Sequence, residues 1–90
     1  MKEPLPPEVR ASVLSRDFYQ CQASAFGFGS LAPCLGALQI HHRFPRGRGG
    51  THDEALLVTL CLGHHAEVES YRTRAYECGL LIRSGPVAPT

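Results

Sequence analysis

Ile40-His41-His42-Arg43 and Leu60-Cys61-Leu62-Gly63-His64-His65 are the two stretches whose reading decides the fold. Each carries a pair of histidines, a glycine-rich basic loop runs between them, and cysteines stand on either side. Imidazole titrates near neutral pH and is the commonest side-chain metal ligand, so two such pairs in a short chain point to metal chemistry, proton transfer or both.

Around the first pair, Ala37-Leu38-Gln39-Ile40-His41-His42 is too short for a stable helix and puts Leu38 and Ile40 on one face with Gln39 between them, which predicts a strand over 37–42. Adjacent strand residues point to opposite sides, so His41 and His42 are expected to do different jobs. Arg43 to Asp53 contains Pro45 and three glycines and reads as a loop. Ala55 to Leu60 is largely apolar and fits a buried second strand, antiparallel to the first. From His64 to about Cys78, Val68, Tyr71, Ala75 and Tyr76 recur at helical spacing, with Gly79 as the stop.

Upstream, Pro7 to Arg16 predicts a helix, because proline suits the first turn and Val9, Val13 and Leu14 form a narrow apolar stripe. Such a stripe packs as a lid. Phe18-Tyr19-Gln20-Cys21 reads as a short strand fragment that delivers Cys21, and Ala23 to Pro33 as a loop whose Phe26 and Phe28 tuck against the core. Leu80-Leu81-Ile82 is expected to pack back as a short strand. The expected organisation is a flexible lead over 1–6, one domain over 7–83 and a flexible tail over 84–90.

With 90 residues the chain makes one domain. A domain of that size buries only about 60–65% of the surface its unfolded chain exposes, so a staple is expected. Hydrophobic content is 43%, but with no tryptophan and one methionine the core must lean on leucine, valine and phenylalanine. A net charge of +1 makes no bulk electrostatic case for nucleic acid. Locally, Arg43, Arg46 and Arg48 fall together without an acid, and read either as phosphate contacts or as plain solvent-exposed side chains. No N-terminal apolar run resembles a signal peptide, and no stretch approaches the roughly 20 apolar residues of a membrane span. The expectation is therefore a cytoplasmic protein without membrane contact, its thiols reduced and better suited to zinc than to disulfides.

Cys61-Leu62-Gly63-His64 has the spacing that lets one tight turn aim two ligands at one ion, and Cys21 and Cys34 can supply the other half of a tetrahedral zinc site. The gap between Cys21 and Cys34 is wider than usual, so buried cysteines without metal are the alternative. Cys78 reads as an ordinary buried thiol and as the substitute if Cys34 is not a ligand. On a helix starting near His64, His65 and Glu69 share a face, where two side chains can chelate one ion. If the strand ending at His41 packs across that face, His41 becomes a third ligand of a divalent ion with positions left open. Taken singly, a histidine such as His52 is solvated or capping, and Glu69 is a solvated helix residue.

Together these residues resemble the HNH endonuclease family, with its ββα-metal fold. The likeness runs from about Val9 to Ile82 through Arg16-Asp17 to Cys21, His41-His42, Arg48-Gly49-Gly50, Leu57-Val58-Thr59-Leu60-Cys61 and His65 at the head of a helix. It is greatest for the small HNH proteins of bacteriophages, some of which share a helix ending similar to Ala75-Tyr76-Glu77-Cys78-Gly79-Leu80.

The resemblance implies an α+β chain with a ββα-metal core, an N-terminal helix and a structural zinc site at Cys21, Cys34, Cys61 and His64. It also implies hydrolysis of DNA phosphodiester bonds. His42 matches the general base, His41 and His65 match ligands of a divalent ion (Mg, Mn, Ni or Zn), and Glu69 matches an additional ligand one turn later. That ion would stabilise charge on the transition state and on the leaving oxygen. DNA is the implied partner, the phage terminase a further one, and the host cytoplasm the implied location. Two positions depart from the family pattern. Leu56 stands where the family's central asparagine falls, with Asp53 and Thr51 the nearby residues able to compensate, and His64 replaces a zinc cysteine, an exchange that structural sites tolerate.

A reading from another class is a zinc-stabilised DNA-binding or interaction module that kept the fold and lost the chemistry, with Leu56 as its best support. A redox or zinc-storage protein accounts for the cysteines but leaves His41-His42 idle.

Overall fold

The structure, a computed structural model, describes residues 5–29, 32–44 and 54–82. In chain order it consists of helix α1 (Pro7–Arg16), strand β1 (Leu38–His42), a 3-10 turn (Glu54–Leu56), strand β2 (Leu57–Cys61), and helices α2 (Leu62–Ser70) and α3 (Arg72–Cys78). This is a small α+β fold around a two-stranded antiparallel sheet. None of its helices is long and apolar enough to cross a membrane, among the described residues.

The register pairs Leu38 with Cys61, Ile40 with Thr59 and His42 with Leu57. Side chains alternate along each strand, so Gln39, His41, Val58 and Leu60 share one side of the sheet. That side carries the core: Val58 and Leu60 pack with Val68 of α2, Ala75 of α3, Ala23, Phe28, Leu80 and Leu81. Each large apolar side chain so buried contributes roughly 1.5–3 kcal/mol. Phe28 is buried and Phe26 packs against the same cluster, as expected of the loop that carries them.

β2 has β1 on one edge only, and the groups on its other edge need partners. The end of α1 supplies them. Arg16 donates through Nη2 to the Leu57 carbonyl at 2.7 Å, Asp17 Oδ2 accepts from the Thr59 N–H at 2.9 Å, and the Gln22 N–H donates to the Thr59 carbonyl at 2.9 Å. A forked contact from Arg16 to both Asp17 oxygens, at 2.8 and 2.9 Å, holds the carboxylate in place. Val13, fully buried, closes the lid beneath.

The segment predicted as a strand over 18–21 is instead the left-handed end of α1. The Phe18 N–H bonds to the Ser15 carbonyl at 3.0 Å and the Tyr19 N–H to the Leu14 carbonyl at 2.8 Å, the two bonds of a Schellman motif. Phe18 and Tyr19 accordingly have φ of 57° and 55°. Local aromatic content suggested a strand, but four orphan carbonyls at a helix end had the stronger claim on the backbone.

Three further boundaries differ from the sequence reading. β2 runs to Cys61 and starts at Leu57, because 54–56 coil into a 3-10 turn. The single helix expected over 64–78 begins at Leu62 and breaks at Tyr71 (φ −120°, ψ 58°), in a run where Ser70, Tyr71 and Thr73 are all weak helix formers. Leu80-Leu81-Ile82 is not a strand. Leu80 and Leu81 are buried in irregular chain, and the Ile82 N–H makes one bond, 2.9 Å, to the Arg43 carbonyl. Gly79 does end α3, in the left-handed conformation at φ 94°. The loop over 45–53, with Arg46, Arg48, Thr51, His52 and Asp53, lies outside the described residues, as do residues 1–4 of the lead and the 84–90 tail.

Candidate metal centre

Where β2 becomes α2 the chain must satisfy the free N–H groups of a new helix, and Cys61 does this as the N-cap. Its Sγ accepts the His64 N–H at 3.3 Å. The same turn folds His64 back over Cys61, placing Nδ1 3.2 Å from Sγ. Two other segments converge on that nitrogen: Cys21 Sγ, from the turn after α1, at 3.4 Å, and Cys34 Sγ at 3.6 Å. The four ligand atoms all lie within 4.8 Å of one another.

The fit to zinc is chemical as well as spatial. In a tetrahedral site with Zn–S of about 2.3 Å and Zn–N of about 2.0–2.1 Å, a sulfur and a nitrogen sit about 3.5 Å apart. His64 Nε2 lies 2.9 Å from the Ala32 carbonyl oxygen, a contact that requires Nε2 to be the protonated nitrogen. Nδ1 then turns a lone pair toward three sulfurs. Such a donor set is made for a cation, and Cys21, Cys34, Cys61 and His64 can hold a metal ion such as zinc. Held so, the ion would tie the turn after α1, the 32–37 segment and the β2–α2 junction together, the staple a small core needs.

The thiols are not equivalent. Burial works to raise the Cys61 thiol, but the His64 and Leu35 N–H groups and the Cys34 thiol outweigh it and bring it down to about 7. Cys34 is pushed up to about 11, by desolvation first and then by the neighbouring Cys61 and Cys21 sulfurs. Cys34 is also exposed where Cys61 and His64 are buried, so the cluster has an open side, facing a cleft walled by Ala23, Ser24, Gly27 and Gly29. Cys78 takes no part: half-buried in α3, its Sγ approaches the Ala75 carbonyl at 3.6 Å.

One residue after His64, the helix presents His65 to the sheet. Its ring stands edge-on to that of His41, with centroids 5.1 Å apart and planes at 70°. Both rings are oriented by an uncharged oxygen. His65 Nδ1 lies 2.6 Å from Gln39 Oε1, and His41 Nε2 lies 2.6 Å from the Leu80 carbonyl. Each of those nitrogens must carry its proton, which leaves His65 Nε2 and His41 Nδ1 as lone-pair donors. Burial, chiefly, lowers the His41 pKa to about 4; the Leu80 carbonyl and Glu69 oppose that, while His65 and His42 add to it. The ring is therefore neutral at physiological pH.

Of the other residues singled out from the sequence, Glu69 is exposed on α2 with Oε1 2.8 Å from Arg72 Nη1. His42 is half-buried and lies on the opposite side of β1 from His41. Arg43 is committed within the fold. Its Nε donates to the Gly79 carbonyl at 2.8 Å, Nη1 to the Ala55 carbonyl at 3.1 Å, and the guanidinium carbon sits 5.1 Å from the Phe26 ring centroid. Burial lowers its pKa first, with Arg16 adding to the effect. Leu56 is buried, and its carbonyl accepts the Arg43 N–H at 2.8 Å.

The orienting groups escaped the sequence reading. Gln39 was within reach of it, since strand alternation puts residues 39 and 41 on one face. The Ala32 and Leu80 carbonyls carry no sequence signal, because any residue has one. Compared with family models, curated proteins and solved structures, the chain finds no match in any of the three.

Proposed function

We propose that the chain is a metal-dependent DNA endonuclease of the HNH type, with a ββα-metal core stapled by zinc at Cys21, Cys34, Cys61 and His64. The observation that carries this reading is the His41–His65 pair: two rings 5.1 Å apart, each with one nitrogen committed to a carbonyl-type oxygen and the other left as a donor. His41, His65 and Glu69 are the residues that would hold one divalent ion (Mg, Mn, Ni or Zn). Two imidazoles and a carboxylate suit such an ion, and Glu69, whose Oε1 accepts from Arg72 Nη1 at 2.8 Å, would have to release that contact to join them.

When bound, the ion supplies Lewis-acid stabilisation of the charge that builds on the phosphate and the leaving oxygen. The rest falls to side chains of the chain. Gln39 and the Leu80 carbonyl hold the two imidazoles in the tautomers that face the ion. His42, on the other side of the strand, acts as general base, its imidazole nitrogen accepting the proton of the attacking water. Arg46 and Arg48 would contact DNA phosphates, which positions the duplex without reading its sequence.

A second reading is favoured by Leu56: a buried apolar side chain cannot make the hydrogen bonds of the asparagine that the HNH pattern expects there. On that reading the chain is a zinc-stabilised DNA-binding or interaction module without catalysis. Supercoiled plasmid incubated with the purified zinc-loaded protein in magnesium, manganese, nickel or EDTA, beside His42→Ala, separates the two. Ion-dependent conversion that disappears in the variant supports the endonuclease. No conversion with any ion, in folded protein that binds DNA equally well with the substitution, supports the module. Co-purification with terminase subunits tests the partner that the phage resemblance implies.

A further inference from the structure

The end of β1 is tied to the segment after α3 by three consecutive bonds. His41 Nε2 meets the Leu80 carbonyl at 2.6 Å, Arg43 Nε donates to the Gly79 carbonyl at 2.8 Å, and the Ile82 N–H donates to the Arg43 carbonyl at 2.9 Å. The guanidinium reaches a second element as well, through Nη1 to Ala55 at 3.1 Å, while the Arg43 N–H holds Leu56 at 2.8 Å. Gly79 is the C-cap of α3, where carbonyls lack helical partners and a cation is favoured. The planar fork of arginine can serve two carbonyls at once while stacking on Phe26; the compact ammonium of lysine cannot.

We propose that Arg43 is a positioning residue for His41 and not a contact to DNA phosphate: its guanidinium pins Gly79, and so fixes the adjoining Leu80 carbonyl that orients the His41 imidazole. The consequence for ion binding and cleavage rests on the endonuclease reading; the positioning does not. The residue sits beside the histidine pair in sequence and next to a basic loop, yet its Nε and Nη1 donate to carbonyls of the fold itself.

Substitution by lysine separates the two roles, because a phosphate contact needs mainly charge and the brace needs the fork. In the zinc-loaded full chain, Arg43→Lys and Arg43→Gln are expected to act alike. The 15N spectrum of His41, a single Nε2–H tautomer in the parent above pH 7, becomes a mixture in both. Manganese affinity falls about tenfold or more, as for loss of an orienting group behind a ligand. The salt dependence of binding to a DNA duplex keeps its slope. The proposal is overturned if Arg43→Lys leaves the His41 spectrum unchanged, or if Arg43→Gln lowers the salt slope by about 0.9, the value of one lost phosphate contact.

Should both variants fail to fold, the parent decides: slow exchange of the Arg43 Nε–H before DNA is added supports the brace, and fast exchange overturns it. If the protein proves not to be a nuclease, the manganese and DNA readouts fall silent. The tautomer and the Nε–H exchange still give the answer.

Discussion

Nε2 of His64 lies 2.9 Å from the carbonyl oxygen of Ala32, and that bond decides which ring nitrogen faces the three thiols. Because a carbonyl only accepts, Nε2 keeps the proton and Nδ1 presents its lone pair to Cys21, Cys34 and Cys61. The same device orients His41 through Leu80 and His65 through Gln39. All three histidines thus come to their sites with the tautomer already set.

The cluster should behave as a structural zinc site with unequal arms. Cys61→Ser removes a buried sulfur of the cluster while leaving a hydroxyl able to cap α2, and should abolish zinc retention and the cooperative melt through the lost ligand. Cys34→Ser, at the exposed arm, should weaken zinc binding with the fold retained. Zinc content by atomic absorption and thermal melts with and without chelator check both. Equal melting of the metal-free and loaded protein would refute a structural role.

Gln39→Leu removes the oxygen that orients His65 while keeping the side chain's bulk. On the proposed function, affinity for manganese or nickel should fall about 10–100-fold, with zinc content unchanged. Gln39→Glu, which retains an acceptor, should recover most of the loss. Isothermal titration of the zinc-loaded protein is the measurement, and an unchanged affinity in Gln39→Leu removes His65 from the proposed ion site.

Acid should loosen the α1–β2 junction. Burial works to raise the Asp17 pKa, but the Arg16 guanidinium and the Thr59 N–H outweigh it and hold the carboxyl below its ordinary value. A group with a lowered folded-state pKa contributes stability that is fully present above its unfolded value, about 3.9, and is lost as pH falls through the folded one. Asp17→Asn should therefore cost about 1–3 kcal/mol at pH 7 and flatten the stability profile below pH 4. Denaturant melts of parent and variant across pH 2–7 show whether the two curves converge at the acid end.

Phe18 occupies the left-handed position that closes α1, at φ 57°, with its ring 79% exposed. Such a conformation costs a non-glycine residue roughly 1–2 kcal/mol, and the exposed ring gains little in return. Phe18→Gly should accordingly stabilise the chain by about 0.5–1 kcal/mol, after the entropy that glycine loses. A lower melting temperature in the variant would mean that the Phe18 side chain makes a stabilising contact worth more than the strain.

The parts of the fold and site that could be read early are those whose cause is local. Pro7 at the first turn of α1, the alternation of Leu38, Gln39 and Ile40, the apolar run into Cys61 and the glycine after Cys78 each act on their own neighbours, and each announced its element. The Cys61–His64 half of the cluster is local too, one helical turn around a capping sulfur. The chain ends of those elements were harder. Phe18 and Tyr19 look like strand residues until the carbonyls of Leu14 and Ser15 claim their N–H groups.

What the sequence determined by itself, then, is most of the inventory: the bodies of α1, β1, β2 and the helical stretch after them, and which side chains can bind a metal. Tertiary structure alone decided which of them meet. It brought Cys21 and Cys34 to His64 across long stretches of chain, set His41 against His65, and turned Arg43 inward onto Gly79 and Ala55. The physical reason is that periodicity and capping are short-range, whereas ligand convergence and ring tautomers depend on carbonyls and faces that only packing brings together.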